Sequence, residues 1–194
     1  MILIFDTSAA GKPKKWKAPY TDTFSWPRMI HISWLCYDRE GNLASDENLL
    51  IRNGALEIPE DMLRYHKLKL EDIEENGVEL EEALEKFKAI VDQSDYVFSF
   101  NLNYNESIVG AEYARNNINH RLHQSERYCL MRESTYFCKI VGKDGGYKWP
   151  TLTELHTRCF GAGYAGPNNA RNDVLAATKC FNYMWTEGEL EDLF

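Results

Sequence analysis

The sequence has no apolar run long enough to cross a membrane, no Cys-x-x-Cys pair and no excess of positive charge. Each absence excludes something. Without a span of about 20 apolar residues, a transmembrane helix is not expected, and Met1–Asp6 lacks the basic start and long apolar stretch of a signal peptide. The five cysteines (Cys36, Cys129, Cys138, Cys159, Cys180) are scattered and odd in number. That spacing offers neither a zinc site nor a disulfide framework, so a reduced, cytoplasmic setting is expected. A net charge of −8 excludes broad attraction to a phosphate backbone while leaving room for a local basic patch.

What is present is ordinary for a globular protein. With 44% hydrophobic and 27% charged residues in 194, the chain is expected to form one domain, 1–194, with a sizeable core. The organising stretch is Ile2–Gly11, ILIFDTSAAG. Four apolar residues run into Asp6, which reads as a buried strand delivering one carboxylate to a sheet edge. Residues two apart on a strand share a face, so Asp6 and Ser8 are expected to point into the same space.

Lys12–Pro27 follows, with three prolines, four lysines and four aromatics, and reads as an ordered surface loop. Lys14 and Lys15 for phosphates and Trp16 for base stacking would suit a single strand of nucleic acid. Met29–Tyr37 and Leu43–Ile51 read as two further strands, antiparallel to the first, with His31 mid-strand. Pro59 opens a short helix to His66, another begins near Glu71, and Glu79–Gln93 is amphipathic. Asp95–Phe100 reads as a strand leading into a helix through Ile108 and Arg115. Residues Asn116–Trp149 carry little pattern. Helices are then expected from Pro150 to Phe160 and through Val174, Ala177, Phe181 and Trp185, with the acidic tail Glu187–Phe194 frayed or lightly docked.

Three of these segments, in order, resemble the motifs of the DEDDh 3′–5′ exonucleases, the family of RNase T and bacterial polymerase proofreading subunits. The first motif, Phe-Asp-x-Glu-Thr-Thr-Gly, is similar to Phe5–Gly11, with Ser8 at the glutamate and Ala9 and Ala10 at the threonines. The second, His-Asn-x-x-Phe-Asp, resembles Phe100–Asn105, where Asn101 and the aromatic Tyr104 fit, Phe100 stands for His and Asn105 for Asp. The third, His-x-Ala-x-x-Asp, resembles Asn168–Asp173, where Ala170 and Asp173 match and Asn168 takes the place of the general-base histidine. The resemblance spans Ile2 to about Trp185. It implies an RNase H-like α/β domain: a mixed sheet of about five strands, its first three antiparallel, with helices on both faces.

It also implies chemistry that the substitutions alter. The family uses two Mg²⁺ or Mn²⁺ ions, which at an effective dielectric of about 20 repel by on the order of 15 kcal/mol and need several carboxylates around them. Only Asp6 and Asp173 are retained, so at most one weakly held ion and no other cofactor is expected. Loss of the base would remove a further factor of roughly 10²–10⁴, so exonuclease activity is expected to be very low or absent. The replacements remove charge and bulk from one pocket, bounded by Ala9, Ala10, Ser99, Phe100, Asn101 and Tyr104, as an engineered scaffold would. Three readings follow: an inactive scaffold whose emptied cleft suits a small ligand or a new, esterase-like hydrolysis, a non-cleaving binder of single-stranded nucleic acid, or a slow metal-dependent nuclease working through Asp6 and Asp173. The new hydrolysis would use Ser8 or Cys159 as nucleophile with His31 or His156 as base.

Overall fold

The computed structural model describes residues 1–52, 54 and 57–191. They form a six-stranded sheet rather than one of about five, in the order β4-β3-β2-β1-β5-β6. β1 (Ile2–Ala9) lies at its centre, antiparallel to β2 (Met29–Tyr37), which pairs antiparallel with β3 (Leu43–Arg52). On its other side β1 runs parallel to β5 (Tyr96–Ser99), and β5 runs parallel to β6 (Glu126–Cys129). The two strands that the sequence pattern did not locate are edges. β4 (Val78–Glu79) has only two residues, too few to show a period. β6, ERYC, buries only its cysteine fully, so it shows no apolar alternation.

The alternation of β1 divides the core. Leu3, Phe5 and Ala9 face one layer, with Leu84 and Phe87 of α3 (Leu80–Asp92) and Ile108 and Val109 of α4 (Leu102–Arg115). Ile4 faces the other, with Leu155 of α7 (Leu152–Phe160) and Val174, Ala177 and Phe181 of α8 (Ala170–Thr186). Helices thus cover both faces. Short helices α1 (Glu60–His66), α2 (Leu70–Asn76), α5 (Leu130–Glu133) and α6 (Thr135–Cys138) fill the connections. Leu190 is buried, so the described part of the acidic tail is docked, while 192–194 lie outside the described residues. No helix among the described residues is long and apolar enough to cross a membrane.

The loop at 12–27 is held firmly. Trp26 is buried and its Nε1 donates to the carbonyls of Ala18 (3.3 Å) and Pro19 (3.2 Å). The Tyr20 ring lies so close to Gly110 of α4 that a Cβ there would stand 2.8 Å from Cγ, so only glycine admits it. Beneath the loop, the fully buried carboxylate of Glu112 accepts from Arg28 Nε (2.9 and 3.1 Å) and from the Met29 N–H (2.9 Å). The Arg115 guanidinium lies 3.1 Å from the same carboxylate and donates to the carbonyls of Thr23 (2.6 Å) and Trp26 (2.5 Å). One buried acid thereby fixes both the start of β2 and the end of the loop.

Candidate functional site

β1 and β5 are parallel neighbours, so their carboxyl ends open on the same side, the place where open α/β sheets take ligands. A cleft of about 690 Å³ lies there. Asp6 and Asp173 lie at its floor with Thr7, Asn105 and Asn168. Its walls are largely aromatic: Trp16, Tyr65, Phe100, Tyr104, Trp149 and Tyr164. Lys12 and Asn101 also line it, whereas Ala9, Ala10 and Ser99 do not. Ala9 is packed in the core and Ser99 sits behind Asn105.

The orientation of Asn105 decides what this floor can do. Its side chain is almost wholly buried, and one terminal atom lies 3.1 Å from the Thr7 N–H and 2.6 Å from Thr7 Oγ1. A backbone N–H can only donate, so that atom is the amide oxygen. The NH₂ group therefore points the other way, donating to Asp6 Oδ2 (3.0 Å) and Ser99 Oγ (2.6 Å). The amide oxygen, the atom that could ligate a metal, already accepts both hydrogen bonds from Thr7.

Ser8 is withdrawn as well. Its side chain has no exposure, and its Oγ accepts from the N–H of Ala170 (3.2 Å) at the first turn of α8. It shares a face with Asp6, but it lies beneath the helix rather than in the cleft. The Asn169 side chain caps the same helix, accepting from Arg171 N (3.1 Å) and Asn172 N (3.3 Å). Asn168 adopts a left-handed backbone (φ 71°), tolerated by asparagine, that turns its N–H onto Asp173 Oδ1 (3.1 Å). Its side-chain oxygen accepts from the Tyr65 hydroxyl at 3.2 Å.

Asp173 also accepts from the Tyr164 hydroxyl (2.7 Å), and these donors partly offset its burial. Burial nevertheless pushes its carboxyl up, to about 6. Asp6 is raised well above the usual carboxylate range, first by burial and then by the charge of Asp173, with the Asn105 amide pulling the other way. The pair thus carries less negative charge near neutrality than two exposed aspartates would.

The nucleophile candidates are scattered. His31 is buried and its Nε2 pairs with Asn48 Oδ1 at 2.7 Å; burial pushes its imidazole down to about 4. Cys159 belongs to the α7–α8 core layer and interacts with Cys180, and burial raises its thiol. His156 Nδ1 meets the Ala162 carbonyl at 2.7 Å. None of these lines the cleft, and no hydrogen bond between a candidate nucleophile and a candidate base is present among the described residues.

Three cleft residues left no sequence signal. Tyr164 sits in a glycine-rich turn with no period. Trp149 ends a segment without pattern. His66 closes α1, and its nitrogens meet the carbonyls of Asn168 (2.7 Å) and Ala9 (3.0 Å), clamping the third-motif turn against β1. Burial lowers its imidazole against those two contacts. A further cavity of about 610 Å³ lies at the opposite end of β1, among Tyr37, Tyr96, Phe181 and Trp185, away from both aspartates.

A pair of divalent ions does not fit this floor. Two of the four positions present a buried hydroxyl and an inward-turned amide. Among the described residues, no three His, Cys, Asp or Glu side chains converge to hold a metal ion.

No family model and no curated protein matches the chain. Solved structures do. E. coli exonuclease I in complex with a dT13 oligonucleotide matches over 100% of this chain, with a TM-score of 0.72 and 14% identity. This chain covers only 42% of that one. A 3′-exonuclease solved for its 3′-end-specific recognition of a histone mRNA stem-loop matches over 96% of this chain and 82% of its own, with a TM-score of 0.70 and 10% identity. Cell-death related nuclease 4 matches over 96% and 64%, with a TM-score of 0.70 and 11% identity. At these identities the likeness is one of fold: the chain has the RNase H-like architecture of these exonucleases.

Proposed function

We propose that the protein binds the end of a single-stranded nucleic acid in this cleft and does not cut it at an exonuclease's rate. One observation carries the reading: Asn105 aims an N–H donor, not oxygen, at Asp6. That arrangement satisfies the floor internally, where a metal-dependent nuclease needs it open and strongly negative. The same change favours a polyanion, because raised carboxyls and an amide repel phosphate less than four carboxylates would.

The mouth suits an unpaired strand. Lys12 lines the cleft, and Lys14, Lys15 and Lys17 are exposed on the loop that follows it, with Lys14 set 3.3 Å over the Phe24 ring. Trp16 is 62% exposed and leans on Tyr104, ring centroids 5.9 Å apart. Cations with aromatic faces hold phosphates and stack bases without needing a particular sequence. The fold's occurrence in an exonuclease solved with a dT13 oligonucleotide supports a single strand as the class of ligand.

The test pairs binding with cleavage. Fluorescence anisotropy should show an oligothymidylate bound with an affinity that falls as salt rises and falls again in a Lys14→Ala/Lys15→Ala/Trp16→Ala variant. A 3′-labelled oligonucleotide should stay intact with Mg²⁺ or Mn²⁺ for hours. Shortening within minutes, or absence of salt-dependent binding, overturns the proposal.

A further inference from the structure

We infer that the second lip of the cleft, residues 130–149, is a contact surface for the part of a single strand that runs on past the cleft. The inference rests on the binding reading above and adds the direction in which the strand leaves.

Three observations carry it. First, the lip exposes aromatic surface that a monomer has no reason to leave in water: Tyr136 is 75%, Trp149 55% and Tyr147 47% exposed. Tyr136 and Tyr147 meet edge to face, ring centroids 6.0 Å apart. Second, the surface is continuous with the cleft, because Trp149 lines it and Tyr147 lies two residues away. The platform is built rather than loose. Val141 pairs with Tyr147, Gly142 N–H donates to the Gly146 carbonyl (2.7 Å), and Lys148 N–H donates to that of Ile140 (2.9 Å).

Third, the local charge opposes that of the whole molecule. Residues 130–149 hold Arg132, Lys139, Lys143 and Lys148 against Glu133 and Asp144, in a chain of net charge −8. Lys148 is engaged by Glu154 at 2.7 Å, while the Arg132 guanidinium lies over the Trp149 ring, 5.2 Å from its centroid. Cations interleaved with exposed rings match a strand with free base faces and phosphates. A duplex, its bases already stacked, gains only the charge.

The experiment compares a thymidine tetranucleotide, a dodecanucleotide and a duplex of the longer length by anisotropy, at one salt concentration. Tyr136→Ala/Tyr147→Ala should weaken the dodecanucleotide by about tenfold or more and leave the tetranucleotide and the duplex unchanged. Trp16→Ala should weaken both single strands. Both tyrosines are exposed, so an unchanged unfolding transition confirms that the variant is folded. If the double variant binds the dodecanucleotide as the parent does, while Trp16→Ala weakens both strands, the inference fails and the cleft reading stands. An equal loss on the duplex overturns the stacking role. If the parent binds neither strand, the cleft reading fails first and takes the inference with it. A dimer of the parent that the double variant dissolves would assign the patch to a second copy of the chain and overturn the inference.

Discussion

Asn105→Asp is the sharpest test of how the floor is wired. The substitution keeps the oxygen that accepts from Thr7 and replaces the NH₂ group with a second oxygen. Ser99 can turn its hydroxyl hydrogen to meet it; ionised Asp6, with an oxygen 3.0 Å from that atom, cannot. The variant loses a hydrogen bond to a charged group, worth about 1.5–3 kcal/mol, and gains a carboxylate contact in a buried site. At an effective dielectric of about 20 that contact repels by about 5 kcal/mol before a proton relieves part of it. A net loss of about 3–5 kcal/mol near pH 8 is expected, which at about 2–4 °C per kcal/mol lowers Tm by roughly 6–20 °C. The same change creates a third carboxylate beside Asp6 and Asp173, so Mg²⁺ should recover stability. An ion at about 100 times its Kd returns about 2.7 kcal/mol. Thermal unfolding in chelator and in excess Mg²⁺ reads both effects: the parent should shift little between the two, and the variant should fall and then recover. A parent stabilised by Mg²⁺ as much as the variant, or a variant as stable as the parent in chelator, would refute the assigned orientation of Asn105.

Two further outcomes follow from the buried charges. Asp6 and Asp173 both have carboxyls raised above the unfolded value of 3.8, so the folded state binds more protons than the unfolded state across the window from about pH 4 to beyond 6. Stability should therefore fall as pH rises through that window, by roughly 2–3 kcal/mol for Asp173 alone; Asp6→Asn should flatten the slope in urea denaturation, and an unchanged slope would exclude the pair as its source. Glu112→Ala removes the buried acceptor shared by Arg28, Arg115 and the Met29 N–H and should cost about 3–5 kcal/mol in the same assay; a loss under about 1 kcal/mol would show that the acid is not the anchor.

The sheet's centre was legible because its physics is local. Apolar runs ending in Asp6 and Phe100, amphipathic spacing in α3, and turn residues at Asp38–Asn42 each announce an element without reference to the rest. The edge strands β4 and β6 were not, since an edge needs little apolar surface and pairs through backbone groups that carry no residue identity. At the site, the sequence shows which residue types occupy the motif positions; Asp6, Asn105, Asn168 and Asp173 line one cleft, while Ser8, Ala9 and Ala10 do not. It cannot show which way an amide points. Whether Asn105 offers oxygen or hydrogen to Asp6 depends on the Thr7 N–H, ninety-eight residues earlier. Tyr164 and His66 were silent for the same reason: Tyr164 matters through one hydrogen bond to Asp173 and His66 through two, to the carbonyls of Asn168 and Ala9, and such contacts make no sequence pattern.

The wiring also bears on what the replacements mean. Had the site merely lost ligands, the residues left behind would show unsatisfied polar atoms facing the cleft. Instead each has an internal partner: Ser8 accepts from the start of α8, Asn105 bridges Thr7, Ser99 and Asp6, and Asn168 links Tyr65 to Asp173. Asp173, the retained carboxylate, has a structural share in this, since it gathers the Tyr164 hydroxyl and the Asn168 N–H and so closes the turn that leads into α8. The floor is a self-contained hydrogen-bond network that also happens to carry two carboxylates. Ser8 has no exposure, so a glutamate there would have to push the first turn of α8 aside before its carboxylate reached the cleft. Asn105 needs no such movement, because aspartate has its shape. The two motif positions therefore differ in how far they stand from metal chemistry: one is a change of an atom, the other a change of packing.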